Sequence, residues 1–216
     1  MKTKSLITIL AVIVLLTPLP AFPWGQTGHM IVAQIALNQL TTKEKTEVQR
    51  LIQIQILPLT VHVLHDCDVD AFSRTSNFVT AACWADDVKN NSNRECHFFD
   101  IPFSPDWIIP ELKTPNCDIL EAIDRFTKQL KDNHSSGVDK VKALRFLIHY
   151  YGDIHQSLHC ATRCTNDYPE NDRGGNDFHV VGHNNLHSYW DGRIDPVPKV
   201  KASIELIRCN GCSKYG

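Results

Sequence analysis

The chain has 216 residues, of which 43% are hydrophobic, 21% charged and 8% aromatic. That is the composition of an ordinary globular protein, without the bias of a disordered or low-complexity chain, and the length suits one domain. Lys and Arg number 22 against 24 Asp and Glu, a net charge of −2, which excludes a basic wrapper of nucleic acid. A polyanionic ligand would need metal ions or a local patch to hold it.

Residues 1–23 read as a secretory signal peptide. Lys2 and Lys4 form a basic start, Leu6 to Leu16 an apolar run broken by Thr8, and Thr17 to Pro23 a proline-containing exit. The run is too short for a membrane span. The rest, 24–216, is expected to form a single secreted domain. Met30, Ile31, Ile35, Leu37 and Leu40 recur at helical spacing over 29–40. Thr41-Thr42-Lys43-Glu44 is a capping box, and Val48, Leu51 and Ile52 continue as a second apolar stripe. The prolines at 102, 105, 110 and 115 make 99–118 a loop. Helical spacing returns over 117–132 and over 138–158. The segment 160–185, rich in Asn, Asp and Gly, reads as loop with a short strand at Phe178–Val181. The fold class is mainly α.

Eight cysteines in an exported chain predict up to four disulfides, with Cys160 and Cys164 close enough in sequence to staple a loop. Cys209 and Cys212 have the spacing of half a zinc knuckle, but no second such pair accompanies them. Asn90-Asn91-Ser92 and Asn133-His134-Ser135 are glycosylation acceptors.

The eleven histidines carry the chemistry. His149 and Asp153 lie four apart, about 40° from each other around a helix. Leu144, Leu147, Ile148, Tyr151 and Ile154 are assigned to the opposite side, so the pair faces away from the helix's own apolar stripe. His159 falls about 80° from His149 if the helix runs on, within reach of a different metal. His187 and Asp191 repeat the spacing. A His and a carboxylate one turn apart grip zinc at two points. One such pair is commonly a solvated helix face or an ion pair. Two pairs with His159, His29, His97 and Asp86 suggest a polynuclear zinc site with N and O ligands.

Six blocks in order carry a resemblance. They are Trp24-Gly25-Gln26-Thr27-Gly28-His29, Trp84-Ala85-Asp86, His97-Phe98-Phe99-Asp100, His149-Tyr150-Tyr151-Gly152-Asp153-Ile154-His155-Gln156-Ser157-Leu158-His159, Gly174-Gly175-Asn176, and Asn185-Leu186-His187-Ser188-Tyr189-Trp190-Asp191. Together they resemble the zinc-dependent single-strand nuclease and 3′-nucleotidase family of fungi and plants. The resemblance implies a mainly α, phospholipase C/nuclease-like fold with a cleft holding three zinc ions. It implies that Asp86, His97, His149 and Asp153 bind one zinc and that His159, His187 and Asp191 bind another. A third falls to Trp24, through its α-amino and carbonyl groups, with His29 and a bridging Asp153. Asp100 would orient the attacking water, Phe98 would stack a base, and Asn176 and Lys89 would contact the phosphate. The implied substrates are single-stranded DNA and RNA, cut to 5′-phosphorylated products, and 3′-nucleotides. The implied enzyme is a secreted monomer without stable membrane association.

The chain departs from the family pattern in four places. Ser157 stands where Pro is usual, the Asp86–His97 loop is short, and Pro23 precedes the expected N-terminal Trp. After Asp191 the family continues through several further helices, so the resemblance also implies a domain that is incomplete at its C-terminus. A zinc phospholipase C of similar fold and a non-catalytic zinc-binding protein are the alternatives. Phe98 and Asn176 favour the nuclease over the former.

Overall fold

The computed structural model describes residues 25–54, 76–107 and 115–193. Among these the chain is mainly helical, with α1 (Gln26–Gln39), α2 (Thr42–Ile52), α3 (Trp84–Asp87), α4 (Ile119–Lys131), α5 (Gly137–Asp153) and α6 (Leu186–Asp191). Three 3₁₀ turns, Thr80–Cys83, Arg94–His97 and Ser157–His159, lie between them. No described helix is long and apolar enough to cross a membrane. The segment read as a signal peptide, Trp24, Cys209 and Cys212 lie outside the described residues.

Local chemistry fixes the helix starts. The expected capping box opens α2: the Thr41 side chain accepts from the Glu44 amide, and the Glu44 carboxylate accepts from the Thr41 amide at 2.7 Å. Asp118 caps α4 by accepting from Leu120 and Glu121 at 2.8 and 2.9 Å, and Ser136 caps α5. Asn185 and Ser188 form a reciprocal cap on α6.

Helix α5 is the axis of the molecule. It touches α1, α2, α3, α4 and the 80–83 turn. Val141, Leu144 and Ile148 pack with Ala33, Leu51 and Ile52. On another side Tyr150 packs with Ile119, Ala122 and the partly buried Phe126 and Phe146. Each fully buried Val, Leu or Ile side chain among these contributes about 2 kcal/mol. The simple two-sided picture of this helix is therefore corrected. Tyr151 is 48% exposed, whereas Tyr150, His149 and Asp153 are fully buried. A helix surrounded by others has no solvent face along most of its length. Its polar pair points into the interior.

The expected helix over 138–158 also ends earlier, at Asp153. The chain turns because Gln156 adopts an extended conformation, and its side chain accepts from the Leu158 amide at 2.5 Å. That turn, not continued helical rotation, sets the direction of His159.

Two short strands replace expected loop. β1 (Ile101–Phe103) pairs in parallel with β2 (Ala161–Arg163), Ile101 opposite Ala161 and Phe103 opposite Arg163. The Phe99 amide donates to the His159 carbonyl at 2.8 Å and the Cys164 amide to the Phe103 carbonyl at 2.9 Å. Pro102 is tolerated because, among the described residues, the strand pairs on one side. Phe178–Val181 is not a strand, and it makes a single bridge, Val180 with His183. The expected Cys160–Cys164 bridge is also absent. β2 runs between the two, and an extended segment of that length separates their Cα atoms by ~13 Å, beyond disulfide reach. The disulfide among the described residues joins Cys96 to Cys117, with Cα atoms 4.9 Å apart, tying the turn before His97 to the start of α4.

Candidate metal centre

Three groups of His and Asp side chains lie in one buried seam, and within each the donor atoms are within 4.8 Å of one another. They are His29, His149 and Asp153; Asp86, His97 and His149; and His159, His187 and Asp191. Asp153, on the last turn of α5, stands between them. Its Oδ2 is 3.0 Å from His97 Nδ1 and 3.1 Å from His149 Nε2, and its Oδ1 is 3.4 Å from His29 Nε2 and 3.6 Å from His159 Nδ1.

Each element delivers its donor for a local reason. His29 comes from the first turns of α1 and stacks flat on His149, ring centroids 3.9 Å apart. The 80–83 turn supplies the Ala82 carbonyl, which accepts from His149 Nδ1 at 2.7 Å and leaves Nε2 as the nitrogen turned toward Asp153 and Asp86. Asp86 sits on α3 just beyond that turn, with Oδ1 3.7 Å from His149 Nε2. His159 Nδ1 donates to the His97 carbonyl at 2.7 Å, and His187 Nδ1 donates to the Gly174 carbonyl at 2.8 Å. The two Nε2 atoms, each opposite an Nδ1 already committed to a carbonyl, face each other at 3.2 Å. Two lone pairs at that distance repel unless a cation sits between them. Ligands of a tetrahedral zinc stand ~3.4 Å apart, so these residues fit the ion. Backbone carbonyls fixing the tautomer are the usual outer support of such ligands. His97 Nε2 is buried without a hydrogen-bond partner, and its Nδ1 also meets His149 Nε2 at 3.1 Å.

Burial sets the protonation states. It pushes the pKa of His29 down to about 3, and those of His97 and His187 down to about 4. Each is therefore a neutral imidazole at neutral pH, the form that donates to a metal. His149 is raised despite its burial, because the carboxylates of Asp153 and Asp86 favour its charged form. Burial alone would raise Asp153, but His149 and His159 hold it well below the ordinary carboxylate range. The donors of the three groups are imidazoles and carboxylates, with no cysteine among them.

Among the remaining sequence-predicted residues, Lys89 touches a residue of the seam, its Nζ contacting Asp86 Oδ1 at 2.6 Å. Asp100 precedes β1, half-buried, and its pKa is raised by burial and by Asp172. Phe98 is half-buried and belongs to none of the apolar clusters of the described residues, whereas the next residue, Phe99, packs against Tyr150 and Ile119. Asn176 is half-exposed, its Nδ2 donating to the Arg173 carbonyl at 2.8 Å. Trp24 is outside the described residues. The amide of its neighbour Gly25 donates to the Asp191 carbonyl at 3.0 Å, which brings this end of the chain against α6.

Sequence reasoning assigned no role to four supporting residues. Gln156 is buried and donates to Asp191 Oδ1 at 2.8 Å. Gly152 leaves room for His29. Gly174 has a φ of 62° and lies so close to the Leu158 carbonyl that a side chain would collide with it. Asp172 is buried beneath the loop that carries Gly174. Gln156 lay inside a ligand block and Asp172 two residues before the Gly-Gly pair, so position was the available signal.

Residues 24–205 match the sequence profile of the S1/P1 nuclease family. The chain is 26% identical over 187 residues to nuclease P1 of Penicillium citrinum, covering 78% of this chain and 57% of that protein. To nuclease S1 of Aspergillus oryzae it is 28% identical over 183 residues, covering 79% and 54% respectively. To endonuclease 1 of Arabidopsis thaliana it is 27% identical over 212 residues, covering 89% and 61%. The chain thus spans a little over half the length of the curated relatives it matches. With six motif blocks in order and a matching profile across most of its length, the chain belongs to the S1/P1 nuclease family.

Proposed function

We propose that the protein is a secreted, zinc-dependent endonuclease. It hydrolyses phosphodiester bonds of single-stranded DNA and RNA to 5′-phosphorylated products and removes 3′-phosphate from nucleotides. The observation that carries the metal reading is the facing pair His159 Nε2 and His187 Nε2, 3.2 Å apart, with each Nδ1 already donating to a backbone carbonyl. Similarity to proteins named as nucleases supports the substrate class. Three ions are proposed, one for each donor group. His29 and Asp153 would hold one with the α-amino and carbonyl groups of Trp24, Asp86, His97, His149 and Asp153 a second, and His159, His187 and Asp191 the last.

Zinc, when bound, supplies Lewis acidity toward water and phosphate near neutral pH. The protein's own residues do the rest. Asp100, made more basic than an ordinary carboxylate by burial and by Asp172, orients water and accepts its proton. Lys89 beside Asp86, and Asn176 after the Gly-Gly turn, contact phosphate oxygens. Phe98, outside the packed clusters, offers its ring to a base. A duplex hides its base faces, so a stacking platform of this kind selects an unpaired strand. The sequons at Asn90 and Asn133 lie on exposed turns and fit an exported chain. The zinc content and the single-strand cleavage rate of the purified protein test the proposal together. Zinc without turnover on any phosphodiester would favour a non-catalytic binding protein. Turnover of phosphatidylcholine instead of DNA would favour the phospholipase.

A further inference from the structure

We infer that Asp172 is a positioning residue for the His187 ligand, acting through the Thr162 and Gly174-Gly175 backbone. The inference rests on the reading of His159, His187 and Asp191 as a metal site. Asp172 is 4% exposed, and its carboxylate bonds to Thr162, Arg163 and Gly175 rather than acting as a fourth member of that group. Its Oδ1 accepts three hydrogen bonds, from the Arg163 amide at 2.9 Å, the Gly175 amide at 3.1 Å and the Thr162 hydroxyl at 3.3 Å. The Thr162 Oγ1 in turn accepts from the Gly174 amide at 3.2 Å. One buried carboxyl oxygen therefore locks strand β2 to the glycine turn. The backbone closes the same loop, as the Asp172 amide donates to the Arg163 carbonyl at 2.8 Å.

The product of that lock is the Gly174 carbonyl, which accepts from His187 Nδ1 at 2.8 Å. A second bond, from the His187 amide to the Gly175 carbonyl at 3.3 Å, ties the start of α6 to the same turn. Gly174 and Gly175 both have positive φ, 62° and 79°, a conformation with little intrinsic preference over others for glycine. Glycine freedom lets the turn form, and the Asp172 oxygen selects the geometry that aims the carbonyl. Without it, the turn loses the three hydrogen bonds to Oδ1 that fix it against strand β2. The Nδ1 proton would then exchange freely, and Nε2 would no longer be kept as the lone-pair nitrogen facing His159. Outer supports of this kind are worth about 10–100-fold in metal affinity.

The test uses the full chain with Asp172→Ala, Asp172→Asn and Thr162→Val. Two quantities are read: the imidazole N–H resonance of His187 in nitrogen-15 NMR, in the metal-free and zinc-loaded protein, and zinc affinity by chelator competition. The unsubstituted protein should show a slowly exchanging Nδ1–H in both states. Asp172→Ala should lose it or exchange it at least tenfold faster, and one zinc equivalent should bind about 10–100-fold more weakly while the others keep their affinity. Asp172→Asn and Thr162→Val should fall between. Retention of the Nδ1–H and of every zinc affinity in Asp172→Ala would overturn the inference, whatever the change in melting temperature. If Asp172→Ala does not fold, Thr162→Val, which removes the Gly174 acceptor and the hydroxyl donor to Asp172 while keeping the carboxylate, decides by the same two readings. If the unsubstituted protein binds no zinc, the proposed function fails, and the metal-free imidazole signal still decides the role of Asp172.

Discussion

Gly152 and His29 are packed so closely that a Cβ at residue 152 would stand 2.5 Å from His29 Nδ1 and 3.1 Å from its Cε1. The glycine is a space requirement imposed on α5 by a side chain of α1. His29 can stack on His149 because position 152 has no side chain. Gly152→Ala should therefore destabilise the fold by about 1–3 kcal/mol through overpacking. It should also push His29 away from Asp153 and remove about one zinc equivalent. Thermal melting and elemental analysis of the same preparation check both effects. Full zinc content in Gly152→Ala would show that His29 is not a ligand.

Asp153 approaches four histidines, two through each carboxylate oxygen. Its removal should therefore affect more than one ion. Asp153→Ala is expected to lose about two zinc equivalents, whereas His187→Ala should lose about one. Equal losses in the two variants would argue against a shared carboxylate.

Phe98 and Asp100 should separate binding from turnover. Phe98→Ala removes a stacking surface worth about 1–3 kcal/mol per base and should raise KM on single-stranded DNA about tenfold, with zinc content unchanged. Asp100→Asn should lower kcat far more than it changes KM. Steady-state kinetics on one oligonucleotide in single-stranded and duplex form measure both.

Acid should destabilise the metal-free protein before it titrates ordinary carboxylates. His29, His97 and His187 have native pKa values of about 3, 4 and 4, below the unfolded value of 6.5. The unfolded chain therefore binds protons first as pH falls. Stability drops from about pH 6.5 toward pH 4, by up to about 1.4 kcal/mol per pH unit for each such histidine. His149 has the opposite sign. Its raised pKa adds stability as pH falls through that pKa toward 6.5, and the contribution is constant below 6.5, so the drop between pH 6.5 and pH 4 is left to the three lowered histidines. Chelator-treated protein should melt lower at pH 5 than at pH 7, and saturating zinc should flatten that dependence. A melting temperature that rises on acidification would contradict the assignment.

Most of the seam was legible in the sequence because metal ligands are carried by residue type and spacing. The His-x-x-x-Asp pairs at 149 and 187 needed only a helical turn, and the Thr41–Glu44 capping box needed only a local hydrogen bond. What escaped depended on tertiary packing. Tyr150 and Tyr151 are the same residue type one step apart, and the presence of α4 decides which is buried. The end of α5 at Asp153 follows from the Gln156 side chain bonding back to Leu158, which periodicity does not register. Strands β1 and β2 are three residues each and pair across a long crossover, so neither carries an alternating pattern. Asp172 and Gly152 act on the seam through backbone and through empty space, and residue type gives no sign of either.

The most direct test of the account is zinc content measured alongside cleavage of single-stranded DNA, before and after chelation and zinc return. The account predicts close to three zinc equivalents per chain, cleavage much faster on single strands than on duplex, loss of both on chelation, and recovery of both with zinc. Active protein that contains no zinc, or equal rates on single-stranded and duplex substrate, would contradict it.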